Sequence, residues 1–233
     1  MERITKKNKK AKKKDKLKKN IKIVVGITCW SHLYEATESA LYHLTSSPYV
    51  IGRVKSQGAL VYEARNDIIK NAMEQFPDMT HLLFVDSDMT FNVDNLNYLA
   101  ESGKDIISGV ACKRVYPFTP CYHSDEPNHD DLIKQLQKPI KEQKPFEVNG
   151  TGMAFTLIDK KVLIKKHWNT DNLWFFPSKD KDGTPQGEDY SFCRMAKEQG
   201  YKIWVHPSCV VGHQTEYIVT LRDWIYAKEQ MEK

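Results

Sequence analysis

The sequence holds no apolar run near the ~18–20 residues needed to cross a bilayer. Its first residues are lysines where a secretory signal would carry an apolar core. The expectation is a soluble, cytoplasmic protein, not secreted and without a transmembrane segment. Cysteine is scarce: Cys29, Cys112, Cys121, Cys193 and Cys209 make an odd number with no CxxC pair, which points away from a disulfide framework and from a cysteine zinc site. The eight histidines include no HxH or HExxH pair. No repeat is present, and with 40% hydrophobic and 28% charged residues the chain has ample material for a packed core, which excludes wholesale disorder.

Positive charge is abundant only at one end. Residues 1–20 contain ten Lys and Arg3 against Glu2 and Asp15, a net of +9, so the overall +5 leaves −4 for residues 21–233. The basicity belongs to a Lys-rich tail expected to be disordered. That tail either solubilises the chain or draws it to nucleic acid or an anionic membrane in a salt-sensitive way.

Beyond the tail, apolar runs alternate with helical spacing. Ile21–Ile27 reads as a buried strand, residues 34–46 as a helix, Tyr49–Val54 as a strand, Leu60–Phe76 as a helix ended by Pro77, and His81–Val85 as a strand. A short helix over Asp94–Ala100 and a strand over Asp105–Val110 follow. This alternation predicts an α/β fold with a mostly parallel central sheet flanked by helices, whose ligands gather at the carboxyl ends of the strands. Residues 111–147, with five prolines and little periodicity, read as a long excursion over that face. A strand over Asn149–Ile158, a helix over Gly187–Gly200, a strand over Tyr201–His206 and a C-terminal helix from Ile218 complete the reading.

Three places carry candidate chemistry. In Phe84-Val85-Asp86-Ser87-Asp88, two carboxylates two apart follow a buried strand. They either converge on a hard cation that clamps a nucleoside diphosphate or cap the turn before the next helix. In Gly187-Glu188-Asp189, acidic residues open a helix; they are caps, or Asp189 is a general base that takes a proton from an attacking hydroxyl. In Val211-Gly212-His213, a histidine follows a late strand, as a structural or exposed residue or as a ligand.

The order and spacing of these three, with "GITCW", "EARNDIIKNA", "HLLFVDSDMTF", "NGTGMAF", "GEDYSFC" and "VGHQT", resemble the DxD-containing, family-2-like glycosyltransferases of the GT-A fold, versions of which occur in large DNA viruses and bacteriophages. The resemblance covers roughly residues 21–215. It implies a single GT-A domain over 21–233, with Asp88 and His213 as ligands of Mn²⁺ or Mg²⁺ and Asp86 beside the metal or the ribose. It further implies that Thr28, Arg65, Asp86, Ser87 and Gly152 bind the nucleotide-sugar, that Asp189 is the catalytic base and that Glu188 binds the acceptor hydroxyl. Arg65 has an alternative as a helix-surface ion pair with Glu63 or Asp67. The aromatic cluster Trp168, Trp174, Phe175 and Phe176 is either core or a sugar-stacking wall.

The expected activity is transfer of a hexosyl or pentosyl unit from a nucleotide-sugar, a UDP-sugar, to a hydroxyl on a glycan or on modified DNA, with inversion. Two other readings stay open. A nucleotidyltransferase of related fold also needs a metal on paired carboxylates, although "GITCWSH" is a poor phosphate-cradling loop. A non-catalytic, basic-tailed protein that binds nucleic acid or membrane is the other.

Overall fold

The computed structural model describes residues 20–115, 118–125, 129–165, 173–215 and Leu221. The Lys-rich tail over 1–19, Trp168 and almost all of the expected C-terminal helix lie outside the described residues.

Among the described residues thirteen strands and six α-helices follow in chain order. They are β1 (Ile23–Cys29), α1 (Glu35–Leu44), β2 (Val50–Gln57), α2 (Val61–Gln75), β3 (His81–Asp86), β4 (Met89–Thr90), α3 (Val93–Glu101), β5 (Ile106–Val110), β6 (Tyr122–His123), α4 (Asp130–Leu136), β7 (Phe146–Val148), β8 (Gly150–Thr151), β9 (Phe155–Asp159), α5 (Lys160–Leu163), β10 (Ser178–Lys179), β11 (Pro185–Gln186), α6 (Glu188–Glu198), β12 (Ile203–Val210) and β13 (Gly212–His213). Seven strands form one sheet in the order β2-β1-β3-β9-β5-β12-β7. Five of them run the same way, while β9 and β7 are reversed against their neighbours. This is the mostly parallel sheet that the alternation predicts.

Residue alternation along the central strands fills two cores. Val24, Leu82, Phe84, Ile106 and Ile158 face one side, where Ile68, Ile69 and Ala72 of α2 and Phe192, Cys193 and Ala196 of α6 close over them. Val25, Leu83, Val85, Ile107 and Leu157 face the other, under Leu41 and Leu44 of α1 and Leu96 and Leu99 of α3. Strands covered on both faces have to be apolar throughout, which is why β1 and β3 read as unbroken hydrophobic runs.

Two expectations are corrected, and one left open is decided. The excursion over 111–147 contains β6, α4, a 3₁₀ turn and the start of β7, because three of its apolar residues, Tyr122, Leu132 and Phe146, are drawn into the first core. The single strand expected over Asn149–Ile158 is broken at Gly152–Ala154 into β8 and β9, and β9 enters the main sheet antiparallel to both neighbours. Phe175 is core, fully buried between Phe84 at 5.4 Å and Phe192 at 4.7 Å between ring centroids. Trp174 is tied by its indole N–H to the Leu163 carbonyl at 2.8 Å.

Candidate active site

Parallel pairing of β1 with β3 sets Thr28 directly beside Asp86 at the carboxyl edge of the sheet. The Thr28 hydroxyl donates to the Asp86 carboxylate, and Arg65 of α2 reaches the same carboxylate from the far side at 3.2 and 3.4 Å. The other terminal nitrogen of Arg65 is ion-paired with Glu188 at the start of α6. Arg65 is only 3% exposed, and its ion-pair partners among the described residues are these two carboxylates rather than Glu63 or Asp67. Burial opposes its charge, and Asp86, Glu188 and Asp189 more than restore it, so the guanidinium is held charged.

Asp88 lies two residues past the end of β3, and a two-stranded ribbon fixes what faces it. In that ribbon β13 pairs antiparallel with β4, His213 opposite Met89, and the Gln214 amide donates to the Asp88 carbonyl at 2.7 Å. A Cβ at position 212 would fall 2.2 Å from the Thr90 hydroxyl, so a glycine is required for β13 to come this close. The outcome is that His213, 125 positions away in sequence, brings Nε2 to 3.3 Å from Asp88 Oδ2. Its Nδ1 sits 2.8 Å from the Cys112 carbonyl. A carbonyl only accepts, so Nδ1 carries a proton; an ionised carboxylate also only accepts, so the bond from Nε2 to Asp88 belongs to the charged ring, in which both nitrogens donate. The hydrogen bond to Asp88 raises the His213 pKa above its ordinary value. Burial acts to raise that of Asp88, and His213 and Arg114 outweigh it, leaving Asp88 below the ordinary range.

Arg114 donates to the same Oδ2 of Asp88 at 2.9 Å. Among the described residues no group of three or more His, Cys, Asp or Glu is gathered as a metal cage. Asp86 is turned to Thr28 and Arg65, whereas Asp88 Oδ2 is met by both His213 and the cationic Arg114. One carboxylate oxygen and one imidazole nitrogen fit Mn²⁺ or Mg²⁺ in the manner of sites that leave further positions to phosphate oxygens and water.

A cavity of about 240 Å³ opens here, lined by Thr28, Trp30, Ser87, Asp88, Arg114 and His213 among others. The capping alternative for the DxD pair is not what is observed, because α3 is capped by a reciprocal Asn92–Asn95 pair. At α6, Asp189 does satisfy a first-turn amide: Oδ1 accepts from the Tyr190 N–H at 2.8 Å. That bond orients the carboxylate so that Oδ2 faces Gly152, where an added Cβ would lie 3.6 Å away. Burial first, and the neighbouring Glu188 second, push the Asp189 pKa up, against the pull of Arg65. The Gly152 amide itself donates to the Cys121 carbonyl at 2.9 Å, so Gly152 offers space beside Asp189 rather than a free N–H.

Among the lining residues to which the sequence reading gave no role, Trp30 and Arg114 carry the chemistry. Trp30, 75% exposed at the end of β1, could have been suspected from a large aromatic at a strand terminus. Arg114 lies in the proline-rich excursion, where no periodicity or motif marks it.

The mostly parallel seven-stranded sheet flanked by helices matches solved GT-A glycosyltransferase structures, so the resemblance seen in the sequence holds at the level of fold. The A197 protein from STIV aligns at a TM-score of 0.52 and 16% identity over 86% of this chain and 98% of its own. GalNAc-T7, crystallised with UDP, GalNAc and Mn²⁺, aligns at 0.53 and 11% identity over 90% of this chain, which spans about half (48%) of that longer one. A glycosyltransferase involved in the glycosylation of the major capsid of PBCV-1 aligns at 0.40 and 16% identity over 90% of this chain and 100% of its own. No protein-family model and no curated protein matches the sequence. Among the described residues no helix is long and apolar enough to cross a membrane, and all five cysteines are free thiols.

Proposed function

We propose that the protein is a divalent-metal-dependent glycosyltransferase that moves a sugar from a UDP-type nucleotide donor to a hydroxyl acceptor with inversion. The observation that carries this reading is the meeting of Asp88 and His213 beside Thr28, Asp86 and Arg65 at the carboxyl edge of a GT-A sheet. GalNAc-T7, which shares the fold, was crystallised with UDP, GalNAc and Mn²⁺, which supports the class of donor and metal.

Asp88 and His213 would hold the cation, Mn²⁺ or Mg²⁺. When bound, it would supply positive charge against the leaving diphosphate. Thr28 and Ser87 line the donor cavity, with Trp30 as an exposed aromatic face at its rim for the base. Arg65 holds Asp86 in place and, through Glu188, ties the start of α6 to the donor side. Asp189 accepts the proton of the acceptor hydroxyl as that oxygen bonds to the anomeric carbon and the bond from carbon to phosphate oxygen breaks, its electron pair leaving with the diphosphate. A diphosphate leaves without protonation, so one working carboxylate suffices, whereas glycosidases need two. This frees Glu188 for its bond to Arg65.

Calorimetric titration of UDP and GDP, with and without Mn²⁺, tests the reading in wild type and Asp88→Ala. Metal-dependent UDP binding that disappears in the variant is expected. Absence of nucleotide binding under every metal condition would overturn it.

A further inference from the structure

A second concavity, about 950 Å³ in volume, opens at Gly187 and Tyr190 and runs along α6 past Arg194 to Glu198. The 11-residue helix α6 is about 16 Å long, so this is an elongated groove suited to several linked units. Gly187 and Tyr190 at its mouth flank the first turn that carries Asp189, and a Cβ at position 187 would lie 3.0 Å from Asp189 Oδ1. One wall is a polar chain in which Asn149 donates to Asp125 at 2.5 Å and Lys197 donates to Asn149 at 3.3 Å. Across from it, Arg194 reaches Ser178 of β10 at 3.2 Å and Glu198 at 3.4 Å. His123 and Tyr190 form an edge-on ring pair, centroids 4.4 Å apart. The Tyr190 ring rests directly on Gly150, where a Cβ would come within 3.0 Å of it, so the aromatic is fixed before anything binds.

The charge of the groove selects its occupant. Asp125, Asp180 and Glu198 outnumber Arg194 and Lys197, and a groove without net positive charge gains nothing from releasing counterions off a phosphate backbone. Modified DNA is therefore a poor fit. Fixed aromatic rings beside amide, carboxylate and guanidinium groups match a polyol, which has weakly polar ring faces and hydroxyls that both donate and accept.

We propose that this groove binds the acceptor and that the acceptor is a neutral oligosaccharide, its terminal hydroxyl entering at Gly187 and losing its proton to Asp189. This rests on the transferase reading above and adds the acceptor class and the residues that hold it.

The test is binding of the full-length protein, with UDP and Mn²⁺ present, to an array of immobilised neutral and acidic glycans together with single-stranded and duplex DNA. Calorimetric UDP binding is measured on the same samples. Neutral oligosaccharides are expected to bind, with an about tenfold or greater loss in Asp125→Ala and in Arg194→Ala, while UDP binding in those variants stays at wild-type level and certifies their fold. UDP binding with no neutral glycan bound overturns the inference and leaves the donor reading standing. Glycan binding without UDP binding overturns the donor reading instead. Glycan binding indifferent to both substitutions, or binding confined to DNA or to acidic glycans, overturns the assignment of the groove.

Discussion

Arg65 and Asp86 are joined at 3.2 Å beneath the floor of the candidate active site, and because Arg65 also holds Glu188, one buried guanidinium links the DxD turn to the helix that carries Asp189. Removing it would leave two carboxylates without their counter-charge. Arg65→Ala is expected to cost about 3–5 kcal/mol of folding stability. Arg65→Lys should recover little of it, because one ammonium lacks the planar fork that spans both partners. Urea unfolding at neutral pH measures both, and a loss below ~1 kcal/mol in Arg65→Ala would contradict the bracket.

Arg114 and a divalent cation compete for one oxygen of Asp88 under the proposed function. Arg114→Gln is therefore expected to tighten Mn²⁺ binding several-fold in the absence of nucleotide, as the guanidinium no longer has to be displaced. His213→Ala should weaken it by about tenfold or more, as expected when a site of few protein ligands loses one. Electron paramagnetic resonance of free Mn²⁺ reads this without any turnover. Unchanged affinity in Arg114→Gln would separate the ion pair from the metal site.

Under the proposed function the acid limb of the pH profile belongs to Asp189, whose pKa is raised chiefly by burial and then by Glu188. A base must be deprotonated to act, so activity falls as pH drops through a value above the ordinary aspartate range. In Glu188→Gln the neighbouring negative charge is gone and Arg65 is released from it; both changes favour the Asp189 carboxylate. The limb should move to lower pH whatever happens to the maximal rate. A kcat/KM profile settles the direction, and a shift to higher pH would remove Asp189 from the role.

Two histidines should titrate on opposite sides of the ordinary value in the metal-free protein. His213, raised by its bond to Asp88, stays charged above pH 6.5, whereas burial pushes His206 down to about 4. The His213–Asp88 contribution to stability is thus fully present below pH 6.5 and is lost as pH rises through the raised value. For His206 the unfolded chain binds the proton first, so stability falls as pH drops from 6.5 towards 4, by up to about 3 kcal/mol. Two-dimensional NMR of the imidazole protons assigns each titration; the same midpoint for both would refute the two environments. With Mn²⁺ present, the His213 titration should disappear, because the metal takes the neutral ring.

Phe192 tests the core that supports α6. It is fully buried and stacked on Phe175 at 4.7 Å, with an interplanar angle of 10°. Phe192→Ala is expected to cost about 3–5 kcal/mol, read by thermal or urea unfolding. A smaller cost would mean that α6 is anchored chiefly by its polar N-terminal contacts.

The local pattern of the sequence determined much of this molecule. Runs such as Ile23–Ile27 and His81–Val85 can only be strands buried on both faces, and helical spacing between them forces a layered α/β sheet with its ligand edge at Thr28 and Asp86. Asp86, Asp88, Asp189 and His213 could be read locally only as separate candidates at strand ends and a helix start; it was the resemblance to GT-A glycosyltransferases that implied they form one site. Which of them touch was a matter of tertiary structure. Reversal of β9, the pairing of β13 with β4 and the choice of Arg65 for Asp86 and Glu188 rather than Glu63 or Asp67 all join residues distant in sequence. No local periodicity encodes them. Arg114, in a stretch without pattern, became part of the site only because the turn after β5 passes over Asp88. Likewise the near-neutral groove along α6 exists only where the segment after β6, the β10–β11 ribbon and the helix meet, since its charge balance is summed over side chains from three separate segments.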